Sequence, residues 1–242
     1  PVPLFLIIVT LPLLLGGCDQ RPSVLKHEIH GDSVTITGWN EDVFYQQPES
    51  RELVIPDTIE GSLVTGIGDT ALMDFGFLSS ITIPDSVTTI GDWAFAGCSG
   101  LTSITIPDSV TSIGGRAFRK CRNLTSVTIG NSVTSIEFST FDSCTNLTSI
   151  TIPDSVTSIG GRAFNNCTNL TSITIPDSVT SIGNWVFYNC PRLMSITILG
   201  DAPEIGRDAF SVCSFTIYRK PEAKGWGDTF GGRPVKLISE KP

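Results

Sequence analysis

The sequence predicts a solenoid, mainly β with short helical or 3₁₀ turns, wound from 23-residue repeats and capped at both ends. Three observations carry that prediction. First, the stretch LTSITIPDSVTSIGGRAFRKCRN at 101–123 returns at 124–146, 147–169 and 170–192; another copy at 78–100 precedes them, and a worn one follows from Leu193. Second, the apolar positions fall at the same places in every copy. Third, one copy is too short to bury its own apolar groups, so stacked neighbours must share a core.

Within the copy at 101–123, Leu101, Ile104 and Ile106 form an L-x-x-I-x-I pattern, a short strand with one buried face. Thr102, Ser103 and Thr105 then point outward. Pro107-Asp108 ends the strand, because proline has no N–H to give a ladder. Val110 and Ile113 turn inward again, and Gly114-Gly115 allows a sharp bend. Phe118 and Cys121 are three apart, so one helical or 3₁₀ turn aims both inward. Stacked in parallel, each chemical type recurs as a ladder at about 4.8 Å.

The L-T-S-I-T-I-P-D-S-V-T-S-I-G…A-F…C pattern resembles the BspA-like, or Treponema-type, leucine-rich repeat over residues 53–215. The resemblance implies a right-handed, curved leucine-rich-repeat solenoid with its strands on the concave side. It also implies a bacterial surface or, in some cases, a parasitic protist as the setting. Some members of that family are adhesins for host matrix or plasma proteins.

The elements follow in order. Residues 1–17, PVPLFLIIVTLPLLLGG, are apolar, uncharged and interrupted by Pro3 and Pro12. They are too short for a comfortable membrane span and read as the core of a secretory signal, N-terminally incomplete because no Met or basic segment leads it. Leu15-Gly16-Gly17-Cys18 resembles a lipobox, which implies cleavage before Cys18 and a lipid on its sulfur; an ordinary signal with a chance cysteine is the other reading. Residues 18–23 are then the lipidated cysteine and a polar tether. Residues 24–52 read as an N-terminal β-hairpin cap, made by SVTITGW at 33–39, an acidic loop, and ELVIP at 52–56. His27 and His30 in HEIH lack the H-E-x-x-H zinc spacing and are read as solvated cap residues. The repeats occupy 53–214. The first is irregular, with extra residues around Glu60 to Leu63 and Leu72 in the phenylalanine slot. Residues 215–242 form a C-terminal cap in which Trp226 and Phe230 cover the last rung.

The exposed positions are of two kinds. On the strand side, Thr82, Thr105, Thr128, Thr151, Thr174 and Thr197 form one line, flanked by a serine line and by Asp85, Asp108, Asn131, Asp154 and Asp177. The threonine line is either strand propensity copied by duplication or a hydroxyl lattice for a periodic ligand. The aspartates cap their own turns or gather calcium; no metal site is assigned. On the turn side, Trp93, Arg116, Ser139, Arg162 and Trp185 share one varied slot, and Ala96, Arg119, Asp142, Asn165 and Tyr188 another. Arg116, Arg119, Lys120 and Arg122 concentrate positive charge in one copy, as solvated turn residues or as a docking patch for an anionic group. Asn123, Asn146 and Asn169 stand in N-L-T and Asn166 in N-C-T, an N-glycosylation pattern without meaning in a bacterial lipoprotein.

Composition narrows the function. A net charge of −8 argues against nucleic acid as a partner. Two histidines, both in the cap, leave no Ser/His/Asp grouping, so no enzyme and no cofactor is expected. Six of the seven cysteines recur at the repeat period and read as buried free thiols, although neighbouring rungs are near enough for an occasional disulfide. A line of thiols without histidine does not make a tetrahedral zinc site. The expected function is an envelope-anchored recognition or adhesion module binding an extracellular protein or glycan; a ligand-free structural spacer is the alternative.

Overall fold

The computed structural model describes residues 7–8, 25–40 and 51–241. The signal core apart from Ile7–Ile8, the lipobox with Cys18, the tether and the segment 41–50 lie outside the described residues. Ile7–Ile8 forms a two-residue strand parallel to Leu53–Val54.

Each rung is two short strands joined by turns, as repeats of alternating apolar residues and breakers demand. The longer strands, such as Ser103–Thr105, Ser126–Thr128 and Ser149–Thr151, pair in parallel and in register. This first ladder places Thr105, Thr128, Thr151, Thr174 and Thr197 side by side. A second ladder joins two-residue strands such as Ser158–Ile159 and Ser181–Ile182. These are the strands that Val110 and Ile113 introduce, too short for periodicity to announce.

The interior repeats with the sequence. Ile104, Val110, Phe118 and Cys121 all lie within one core, none more than 3% exposed. Phe95, Phe118, Phe141, Phe164 and Phe187 stack at successive distances of 5.1, 5.5, 5.6 and 5.5 Å, with rings within 8° of parallel. These steps exceed the ~4.8 Å between paired strands. The phenylalanine side is therefore the outer side of a bend, and the first ladder lies on its inner side.

The turn that carries Phe118 and Cys121 is built differently from the helical or 3₁₀ turn expected. Ala117, Arg119 and Cys121 donate their N–H three residues back, while Arg116, Phe118 and Lys120 donate to Phe138, Thr140 and Asp142 of the next rung. A helix would spend every amide inside its own turn. Here alternate amides join rungs, which requires left-handed backbone at Arg116 (φ 60°) and Lys120 (φ 61°). The thiols join in: Cys121 Sγ donates to Phe95 O at 3.1 Å, and Cys144 Sγ to Phe118 O at 3.1 Å.

Gly114 serves close approach rather than a bend. A Cβ there would stand 2.5 Å from the Asp92 amide nitrogen of the preceding rung. In the rung 124–146 that slot holds Glu137. The second ladder parts there: Gly114, Gly160, Gly183 and Gly206 each donate to an isoleucine one rung back, but Glu137 does not. Ser112–Ile113 and Ser135–Ile136 consequently belong to separate sheets. The same rung closes in at its other corner, where Gly130 replaces proline and leaves no room for a Cβ beside Pro107 O.

The N-terminal cap differs from the hairpin read in the sequence. Its arms are Leu25–His30 and Ser33–Trp39, antiparallel about Gly31-Asp32. Glu52–Val54 instead pairs in parallel with Ser80–Thr82, in a sheet separate from the one that begins at Ser103–Thr105. Val34 and Ile36 are fully buried, and Trp39 stacks on Phe75 at 4.2 Å. The extra residues of the first rung make a small hairpin, Thr58–Ile59 against Ser62–Ile67, turning at Glu60 (φ 53°) and Gly61 (φ 85°). At the other end, Thr216–Arg219 and Arg233–Leu237 extend the first ladder. Phe230 lies 6.2 Å from Phe210 and 4.9 Å from Trp226.

Candidate functional site

The inner face is uniform. Thr82, Thr105, Thr128, Thr151 and Thr174 are exposed, and Thr197 is buried. A shallow depression of about 320 Å³ runs past Thr151, Thr174 and Asp154. The outer threonines are spent on structure: Thr125 Oγ1 donates to Thr102 O at 3.0 Å and Thr148 Oγ1 to Thr125 O at 3.1 Å. Asparagines lock rungs likewise, with Asn169 donating to Asn146 Oδ1 at 3.0 Å and Arg192 to Asn169 Oδ1 at 2.9 Å. The glycosylation pattern in the sequence coincides with this amide ladder.

The turn side is varied, and there the structure gathers side chains. The Arg116 guanidinium lies 4.9 Å from the Trp93 ring centre and 4.7 Å from that of Phe138. A cation between two aromatic faces is held by both ring quadrupoles. Arg119 lies 5.4 Å from the same Trp93 ring. Two rungs on, Arg162 lies 5.2 Å from Trp185. Trp93, Arg116, Phe138, Arg162 and Trp185 thus form a stripe along the solenoid. Lys120 is exposed, and its side chain makes no hydrogen bond or ion pair among the described residues.

The backbone under this stripe is left-handed at Trp93 (φ 59°), Arg116 (φ 60°), Arg162 (φ 57°) and Trp185 (φ 52°). Such positions favour glycine or asparagine, and other residues pay on the order of 1–2 kcal/mol each. The slot is left-handed in every rung from Thr70 to Asp208 and holds neither glycine nor asparagine in any, so the fold sets the backbone there and leaves the side chain open.

Arg119 is committed beneath the stripe. Its Nε stands 2.9 Å from Asp142 Oδ2, and Asp142 is 6% exposed. Asn165 Nδ2 and Ser143 Oγ donate to the other carboxylate oxygen at 2.7 and 3.0 Å. This network satisfies a buried charge and braces the turn. The sequence offers Arg116, Arg119, Lys120, Trp93 and Trp185 as candidates and does not single out Phe138, while Ser139, Asp142 and Ala96, expected at exposed turn positions, are buried. The signal for Phe138 was present: it stands where the neighbouring copies have Gly115 and Gly161.

No arrangement suited to covalent or acid–base chemistry accompanies the stripe among the described residues. Burial pushes the Cys98 thiol up to about 12 and raises Cys121, Cys144 and Cys167 as well, so these sulfurs stay protonated. All six ladder cysteines are free and buried. His27 and His30 have Glu60 and Glu28 as their nearest carboxylates, at 3.9 and 3.4 Å, away from the stripe.

The fold is shared with solved bacterial proteins. The T. pallidum leucine-rich-repeat protein TpLRR is 26% identical, covering 76% of this chain and 83% of that one, with a TM-score of 0.66. A leucine-rich-repeat protein of Eubacterium ventriosum is 28% identical over 76% of this chain, with a TM-score of 0.59. The chain spans about half of that second protein's length, 47%. No curated protein matches the sequence. The family model for the BspA type leucine-rich-repeat region matches in six copies, over residues 34–137, 65–190 and 134–222. Those copies run the length of the shared core, and the chain belongs to the BspA-type leucine-rich-repeat family, whose repeats build non-catalytic binding or structural modules.

Proposed function

We propose that this chain is a recognition module of the bacterial cell envelope, held to a membrane by lipid on Cys18 and binding an extracellular protein or glycan through its solenoid surface. The single observation that supports binding over mere spacing is the turn-side stripe: tryptophan, arginine and phenylalanine gathered on one outer line, with the Arg116 and Arg162 guanidinium groups held against rings and paired with no carboxylate among the described residues. A rigid array also suits extended ligands, because weak contacts repeat along it and their effects combine. The apolar leader and the lipobox support export and anchoring.

The test is a binding screen of the domain from Asp19 onward against glycan arrays and immobilised matrix proteins. Saturable binding that is lost in a Trp93→Ala/Trp185→Ala double variant supports the reading. Silence on both surfaces marks a spacer instead. Anchoring is tested separately: Cys18→Ser is expected to move the protein from the membrane to the soluble fraction.

A further inference from the structure

The stripe contains two arginines that the fold holds but does not use. Arg116 is gripped between Trp93 and Phe138, and Arg162 stacks on Trp185. Neither side chain has an ion pair or hydrogen bond among the described residues, whereas Arg119 in the same rung as Arg116 is paired with Asp142. The nearby carboxylates are engaged elsewhere: Asp92 Oδ1 accepts the Gly115 N–H at 2.7 Å, and Glu137 Oε1 accepts from Ser135 Oγ at 2.7 Å. Stacking fixes the plane of a guanidinium while leaving its N–H edge free, and that edge matches a carboxylate in bidentate fashion. The ordering cost is met before any ligand arrives.

The spacing restricts the ligand. Arg116 and Arg162 occupy the same slot two rungs apart, and the phenylalanines beneath them advance by 5.5 and 5.6 Å over those two steps. Those two ring steps taken together are close to the length of an extended disaccharide. The rung between them offers Ser139, buried, and Phe138, exposed, so an apolar surface separates two anion-binding edges. Trp93 and Trp185 end the run, with only Thr70 and Asp208 beyond them in the same slot. Guanidinium edges at every second rung, with the partly exposed Phe138 between them, suit a polymer whose negative charges recur at a regular spacing with an uncharged stretch between. Nucleic acid carries its phosphates far more densely than one per two rungs.

We propose that the stripe binds a linear acidic polysaccharide carrying one carboxylate per disaccharide, with Arg116 and Arg162 taking successive carboxylates. This proposal rests on the recognition reading above and specifies its ligand.

The experiment measures binding of the intact domain to hyaluronan decasaccharide, to the same oligosaccharide with its carboxyl groups reduced, and to an oligoglutamate peptide. Binding to the first, its loss on carboxyl reduction, and roughly tenfold weaker binding in each of Arg116→Gln and Arg162→Gln are expected. Lys236→Gln, which removes the same charge in the C-terminal cap, is expected to bind like the parent, and circular dichroism verifies that each variant is folded. Equal weakening by Lys236→Gln, or unchanged binding in both arginine variants, overturns the proposal. Binding to oligoglutamate but not to hyaluronan also overturns it and points to an acidic protein. Binding confined to a neutral glycan or a matrix protein overturns it while leaving the recognition reading intact.

Discussion

Two rung interfaces of nearly the same sequence behave differently. Rung 147–169 meets rung 170–192 through both ladders, Ser149–Thr151 leading to Ser172–Ile175 and Ser158–Ile159 pairing with Ser181–Ile182. Of the two ladders, only the first joins rung 101–123 to rung 124–146, beside the turn amides that also cross there. The phenylalanine spacing is the same at both, 5.5 Å. The difference traces to one position, Gly183 in the first case and Glu137 in the second. The spine and the strand register therefore hold rungs together, and the second ladder closes only where a Cβ is missing.

The largest test of that comparison is removal of the spine where the second ladder cannot help. Phe141→Ala deletes a fully buried ring from the parted interface and is expected to cost about 3–5 kcal/mol, read from urea unfolding. Next, Gly183→Val should copy the parting into the joined interface. Its Cβ would meet the Gly161 amide nitrogen at 2.5 Å, so about 2–3 kcal/mol is expected, together with faster hydrogen exchange at Thr180 and Gly183. Unchanged exchange there would show that the glycine is dispensable.

The thiols give a pH arm. Cys98 titrates near 9 when unfolded and near 12 in the folded chain, because burial disfavours the thiolate. Its contribution is complete below pH 9 and is lost as pH rises from 9 toward 12. Urea midpoints at pH 8 and pH 10, compared with those of Cys98→Ala, read that slope. Glu137→Gly should run the comparison backward, closing the second ladder for a gain of about 1 kcal/mol and slowing exchange at Thr134. Smallest is Val212→Asn. This exposed β-branched residue sits at φ 63°, in the slot that Asn166 and Asn189 fill elsewhere, and relief of about 1 kcal/mol is expected in thermal unfolding.

The fold was legible because the sequence restates it. Ile104, Val110, Phe118 and Cys121 recur often enough for their common burial to follow from spacing alone. Features resting on contact between copies were harder to read. Gly114 looks like a bend in one copy, and only the neighbouring Asp92 shows that it is a gap for backbone. The hairpin cap went astray because Glu52–Val54 and Leu25–His30 are both plausible partners for Ser33–Trp39, and local pattern does not choose between them. At the candidate site, Trp93 and Arg116 could be picked as exceptions in a monotonous array. Their sandwich with Phe138 depends on left-handed backbone, which no periodicity of apolar residues encodes.

The matching register of Ser103, Ser126 and Ser149 carries a consequence for inheritance. Because successive joints are alike, a whole winding can be gained or lost by slippage in the gene without any misfit at the splice. Such a molecule can lengthen or shorten like a ruler cut at its own graduations. The Glu137 winding is the exception among the regular copies, because its parted joint would travel with it.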